Sequence, residues 1–160
     1  MRNHWIIGMA LGFVFLAGCT SRKPASVRQV SLRIYEVVDC TAGMVPMSLK
    51  GSTEKYCLAT EPVVDEKDIK LVQVSHDEYD RVRLQLYFSV ETGKFMRETT
   101  DRIYKEHLHG NSQGRMGIVV DGELISAPEL RGVIADALVI DDAFSWGEAV
   151  RIADSLMARK

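Results

Sequence analysis

Apolar and polar positions change their period several times along this chain, and each change predicts an element. From Val30 to Val38 (VSLRIYEVV) they alternate, with Val30, Leu32, Ile34 and Val38 on one face, which predicts a first strand. Residues 39 to 55 hold Gly43, Pro46, Gly51 and several Ser and Thr, and predict an irregular excursion. Tyr56 to Val64 (YCLATEPVV) predicts a short edge strand, because Pro62 has no N–H to give to a central ladder. Ile69 to Ser75 (IKLVQVS) and Val82 to Val90 (VRLQLYFSV) flank the polar HDEYD segment as strand, turn and strand. In the second of these, Val82, Leu84, Leu86, Phe88 and Val90 share a face opposite Arg83, Gln85, Tyr87 and Ser89, the pattern of an antiparallel sheet wet on one side.

The period then lengthens. Thr92 is placed to cap a helix from about Gly93 to His107, with an inner stripe of Phe95, Met96, Thr99, Ile103 and Tyr104 or Leu108, and Gly110 as its stop. Arg115 to Val120 (RMGIVV) and Glu123 to Ser126 (ELIS) enclose Asp121-Gly122, a pair that favours a type I' hairpin because both central residues take positive φ. Pro128 predicts a short helix through about Ala135, and Ala137 to Asp141 (ALVID) a last strand. Ser145-Trp146-Gly147-Glu148 reads as a capping box, followed at helical spacing by Ala149, Ile152, Ala153, Leu156 and Met157. Together the elements predict an α+β fold, an antiparallel sheet with helices on one face.

Ahead of these elements lies a different pattern. Arg2, a nearly uncharged run from Trp5 to Leu16, and the small residues Ala17 and Gly18 before Cys19 form a three-part export signal. Leu16-Ala17-Gly18-Cys19 resembles the lipobox of bacterial lipoprotein precursors. That resemblance implies cleavage after Gly18, a thioether-linked diacylglycerol on Cys19 and an acyl (palmitate) group on the new amino terminus. An uncleaved anchor and an ordinary signal peptide are the competing readings; the run is shorter than the roughly 20 residues that span a bilayer. Thr20 and Ser21 follow, with no Asp in the second mature position, which resembles sorting to the outer membrane, facing the periplasm, in a diderm bacterium. Residues 19–29 read as a polar tether holding Pro24, and residues 30–160 as one domain.

Charge and cysteine content sharpen this picture. Without Arg2, 19 Lys and Arg face 22 Asp and Glu, a balance unlike that of a nucleic-acid binder. With Cys19 consumed by lipid, Cys40 and Cys57 remain as an even pair in an oxidising compartment, and a disulfide is expected over two free thiols. No Gly-rich phosphate loop and no Cys-x-x-Cys pair occurs, so no cofactor is implied. Gly110-Asn111-Ser112-Gln113-Gly114 matches the G-x-S-x-G elbow of hydrolases, but here a helix precedes and a strand follows, the reverse of what the elbow needs. Glu106, His107 and His109, with His76, Asp77 and Glu78 as conceivable partners, lack the i, i+4 spacing of helix-borne metal ligands. Asp65-Glu66 and Asp141-Asp142 fit loop and cap roles better than those of paired catalytic carboxylates.

From about Lys55 onward the order YCLATEPVVDEKDIKLVQVS, the strand ending at Phe88 before ETGKFMRETT, GRMGIVVDGELISAP and IDDAFSWGEA resembles the periplasmic head of the preprotein translocase subunit SecD. Gly114, Asp121, Gly122, Ser126, Ala127 and Pro128 carry most of it. The resemblance implies an α+β head and a non-enzymatic interaction module whose partner is an exported polypeptide or another envelope protein. The family's transmembrane helices have no counterpart after Cys19, and EHLHGNSQ and Asp141-Asp142 depart from its pattern. Three functions follow from the sequence: a lipid-anchored binding module, capturing extended peptides on the Tyr56 to Val64 edge; an assembly subunit of an envelope complex; and a hydrolase resting on Ser112 alone.

Overall fold

A computed structural model describes residues 29–42 and 44–159. The lipobox and Cys19 lie outside the described residues. In chain order the elements are β1 (Leu32–Val38), β2 (Met47–Ser48), β3 (Lys55–Leu58), β4 (Ile69–His76), β5 (Val82–Phe88), α1 (Val90–Leu108), β6 (Met116–Val120), β7 (Glu123–Ser126), β8 (Ala137–Asp141) and α2 (Trp146–Met157). The class is α+β as expected, but the strands form two antiparallel sheets, ordered β2-β3-β1-β6-β7 and β4-β5-β8.

One core joins them. Leu32 and Ile34 of β1 and Met116, Ile118 and Val120 of β6 meet Leu84 and Leu86 of β5, Leu138 and Ile140 of β8, Met96 and Ile103 of α1, and Ala149, Ile152 and Leu156 of α2. The five-stranded sheet also curls. Leu49, just past β2, bridges Leu124 of β7, and the Lys50 N–H donates to the Leu124 carbonyl at 2.9 Å, so the two outer strands meet. This is why every residue of β6 is buried: its even positions face the common core, while Gly117 and Val119 face the concavity of the curl. A Cβ at Gly117 would sit 2.6 Å from Leu58 Cδ2 and 3.3 Å from Leu124 Cδ1, so any side chain there would have to push the Leu58 side chain aside.

Several expectations are corrected. The strand predicted over Tyr56 to Val64 ends at Leu58, and it is not an edge, since β3 pairs with β2 on one side and β1 on the other. Pro62 follows in irregular backbone, and Val64 rejoins β1 only as a bridge to Ile34. In β1 the buried residue at the end is Val37, 1% exposed, rather than Val38. The excursion 39–55 includes the two-residue β2.

Helix α1 starts earlier than predicted. Ser89, not Thr92, is its N-cap: the Thr92 N–H donates to Ser89 Oγ at 3.1 Å, and Glu91 in the first turn complements the helix dipole. Its buried stripe is Gly93, Met96, Thr100 and Ile103, while Phe95 is 53% exposed and Leu108 64%. The inner face therefore runs through a glycine and a threonine, which a search for apolar periodicity passes over. At the other end Gly110 closes the helix as predicted, its N–H bonded to the His107 carbonyl and that of Asn111 to the Glu106 carbonyl. Asp121 and Gly122 have φ of 52° and 84°, as the hairpin requires. The Ser145 to Glu148 capping box forms, with Ser145 N–H to Glu148 Oε2 at 2.9 Å. The helix predicted from Pro128 to Ala135 does not: this segment is a non-helical strap that crosses α1.

Candidate interaction site

The Pro128 to Asp136 strap and the strand it feeds, β8, build the most distinctive surface. Thr100, fully buried on α1, donates its hydroxyl proton to the Met96 carbonyl at 2.8 Å and accepts the Ile134 N–H at 2.9 Å. Gly93, two helical turns further back on the same face, lets the strap lie close, since a Cβ there would already touch the Ala135 carbonyl at 3.4 Å. At its start the strap is tied to β6, with Met116 N–H to the Pro128 carbonyl at 3.1 Å and Leu130 N–H to the Gly114 carbonyl at 2.7 Å. Between strap and strand opens a pocket of about 310 Å³, floored by Met116 and Leu138 and walled by Leu130, Val133, Ile134 and Val139.

The hydrogen-bond register decides what β8 offers. The Phe88 N–H donates to the Asp136 carbonyl and the Asp142 N–H to the Val82 carbonyl, so the even residues of β8 are bonded to β5. In an antiparallel ladder such pairs alternate, and the N–H and C=O groups of Ala137, Val139 and Asp141 therefore point away from the sheet. Among the described residues no strand pairs with that side.

The opposite edge, β4, is guarded. It carries a register irregularity between Ile69 and Leu71, α2 packs across it, and Trp146 stacks on His76 with centroids 4.5 Å apart. The outer face between the edges holds Arg83 paired with Asp141 at 2.8 Å and Tyr87 bonded to Gln73 at 3.1 Å.

A second concavity, about 330 Å³, lies inside the curl, lined by Arg33, Tyr35, Met47, Leu58 and Val119. Cys40 and Cys57 stand in disulfide geometry beside it, with Cα atoms 5.3 Å apart, and tie the start of the excursion to β3.

The residues singled out for chemistry do not converge. The Ser112 hydroxyl donates to the Ile103 carbonyl at 3.3 Å and accepts the Gly114 N–H at 3.0 Å, so its hydrogen bonds go to main chain rather than to an imidazole. His107 contacts the Ser112 main-chain oxygen at 3.1 Å and lies 3.5 Å from Glu129, covering Gly114, whose φ of +64° and lack of a Cβ make room for the ring. His109 ends α1, and His76 stacks on Trp146. Among the described residues no three His, Cys, Asp or Glu side chains come together to hold a metal. Asp65 pairs with Lys67 at 2.8 Å, Glu66 with Arg159 at 3.2 Å, and Asp141 with Arg83. Asp77 is a turn anchor. Burial raises its carboxyl, but hydrogen bonds from the Arg81 side chain, the Arg81 N–H and the Tyr79 N–H outweigh this and bring it down to about 2.

The hairpin motif residues are architectural. Asp121 accepts the Ser31 N–H at 2.9 Å and clips the start of β1, Arg115 donates to the Ala127 carbonyl at 2.8 Å, and Ser126 pairs with Ile118. Their combined effect is to aim the chain after Pro128 along α1 and into β8.

The model of the SecDF P1 head subdomain matches residues 42–159. The chain belongs to this family. Among solved structures it is similar to the chain described as "a membrane component SecDF that enhances protein export" (TM-score 0.59, 21% identity, 80% of this chain, 62% of the other). It is also similar to SecDF "in Super-membrane-facing form" (TM-score 0.59, 22% identity, 80% and 19%). The head-like chain thus spans less than two thirds of either relative's length. No curated protein matches it. Sequence reasoning missed the strap and the β8 edge; the one legible signal was ALVID, an apolar strand without the Lys or Pro that usually protects an edge.

Proposed function

We propose that this SecDF head-like domain is a periplasmic binding module that handles exported polypeptides, and that it is held at a membrane by lipid on Cys19. The family match over residues 42–159 carries the reading. The lipobox pattern at Leu16 to Cys19 supports the anchor, and the polar stretch that follows supports a tether for one domain over residues 30–160. Lipid then takes over the membrane attachment that transmembrane helices give to SecD, with the outer membrane favoured by Thr20-Ser21. The module binds without catalysing, and its partners are extended chains or an envelope protein, with no nucleic acid.

Two experiments test this. Metabolic labelling with palmitate is expected to mark the wild-type protein and not Cys19→Ala, with the variant released from the membrane fraction; an unlabelled wild type removes the anchor. Crosslinking in intact envelopes is expected to capture a heterogeneous set of exported chains. A single partner at fixed stoichiometry would instead make the domain an assembly subunit.

A further inference from the structure

We propose that the free edge of β8 is a strand-addition site for an extended polypeptide segment, and that the pocket between β8 and the Pro128 to Asp136 strap receives one of the segment's apolar side chains. The proposal rests on the reading that the head handles exported chains, and it names the surface and the form of the client.

Three observations converge. The N–H and C=O groups of Ala137, Val139 and Asp141 face outward, a row of six main-chain groups at the spacing of an added strand. β8 keeps a regular register with β5, holds no Lys or Pro, and has its one charge, Asp141, paired with Arg83 on the outer face. On an added strand, side chains opposite Val139 lie on the outer face, whereas a neighbour opposite Leu138 turns inward, where the pocket lies. Main-chain bonds supply binding that tolerates many sequences, and the pocket selects an apolar residue at one inward-facing position.

The occupant is an unfolded chain rather than a second copy of this one. If two β8 strands paired, the Leu138 and Ile140 side chains would stay in their own cores, 7% and 3% exposed, and nothing would enter the pocket. Charge points the same way. Asp136 and Asp142, both exposed, bracket the edge and complement a segment with Lys or Arg flanking its apolar residues, whereas a second copy brings the same carboxylates against them.

The test uses the full chain and a synthetic nonapeptide with alternating Val and Ser between terminal lysines, its binding followed by fluorescence anisotropy. Val139→Pro removes only an outward N–H and leaves the β5 ladder intact, and Val139→Lys is a milder edge blocker should the proline variant fold poorly. Val133→Asp, at a 45% exposed position, charges the pocket wall. Each is expected to weaken binding by about tenfold or more with the thermal midpoint near wild type, because Val139→Pro removes an edge bond, Val139→Lys sets on the strand the charge that guards natural edges and repels the peptide's lysines, and Val133→Asp charges the apolar pocket. Methylating alternate amides of the peptide, which spares its side chains, is expected to abolish binding in one of the two registers.

Undiminished binding to folded Val139→Lys and Val133→Asp would overturn the β8 site while leaving the binding reading intact. If the wild type bound neither this peptide nor a reduced, unfolded protein, the binding reading itself would fall. A β8-dependent dimer seen by sedimentation, with no peptide bound, would overturn the choice of occupant.

Discussion

Replacing Thr100 by Val probes the contact on which the strap depends. The two side chains have nearly the same shape, so the change creates no cavity, but it removes the hydroxyl that accepts the Ile134 N–H at 2.9 Å and donates to the Met96 carbonyl at 2.8 Å. Met96 O lies within a helix and loses little. The Ile134 N–H loses its acceptor in a partly buried place, which costs about 1–2 kcal/mol, the lower part of the range for stranded donors. For a domain of this size that lowers the thermal midpoint by roughly 3–8 °C. Thr100→Ser is the control. It keeps the hydroxyl and loses one buried methyl, for about 0.5–1.5 kcal/mol. Global stability separates the two poorly, so the decisive assay is amide exchange at Ile134. Protection there is expected to collapse in Thr100→Val and to survive in Thr100→Ser, and peptide binding at β8 is expected to follow the same order. Unchanged Ile134 protection in the valine variant, or equal loss in both, would refute the account of the strap.

Three further outcomes are expected. Because Asp77 is held at about 2, below its unfolded value of about 3.9, its contribution to stability is complete above about pH 4 and is lost as the pH falls towards 2. A carboxyl titration by NMR should place its midpoint near 2, and one near 4 would deny the Arg81 turn. Replacing Cys40 and Cys57 by Ser opens a link across a sequence separation of 17 and should cost about 3 kcal/mol in chemical denaturation, against no effect if the pair is not joined in the native protein. Gly117→Ala presses on Leu58 Cδ2 and should cost about 1–2 kcal/mol, largely relieved in the Leu58→Ala background. Additive single and double variants would show that the curl is looser than described.

Legibility followed the range of the interactions. The pattern along the chain determined where strands and helices lie, since period, caps and turn chemistry are local: the alternation of Val82 to Phe88, the Ser145 to Glu148 box, the Gly110 stop and the Asp121-Gly122 hairpin all needed only neighbouring residues. It also carried the SecD resemblance, because that rests on residues that build the hairpin. It misplaced the edge strand and the inner face of α1, both of which depended on distant partners. Whether a strand is an edge is settled by what lies beside it: Pro62 marked Tyr56 to Val64 as an edge, yet β3 acquires β1 and β2 as neighbours, whereas ALVID, with no such mark, is left open. The inner face of α1 was missed for the same reason, as Gly93 and Thr100 belong to it through the strap rather than through hydrophobicity. The sequence by itself therefore determined the elements and the family. Only the tertiary structure decided which main-chain groups stay unpaired, because hydrogen-bond pairing between strands far apart in the chain has no local signature.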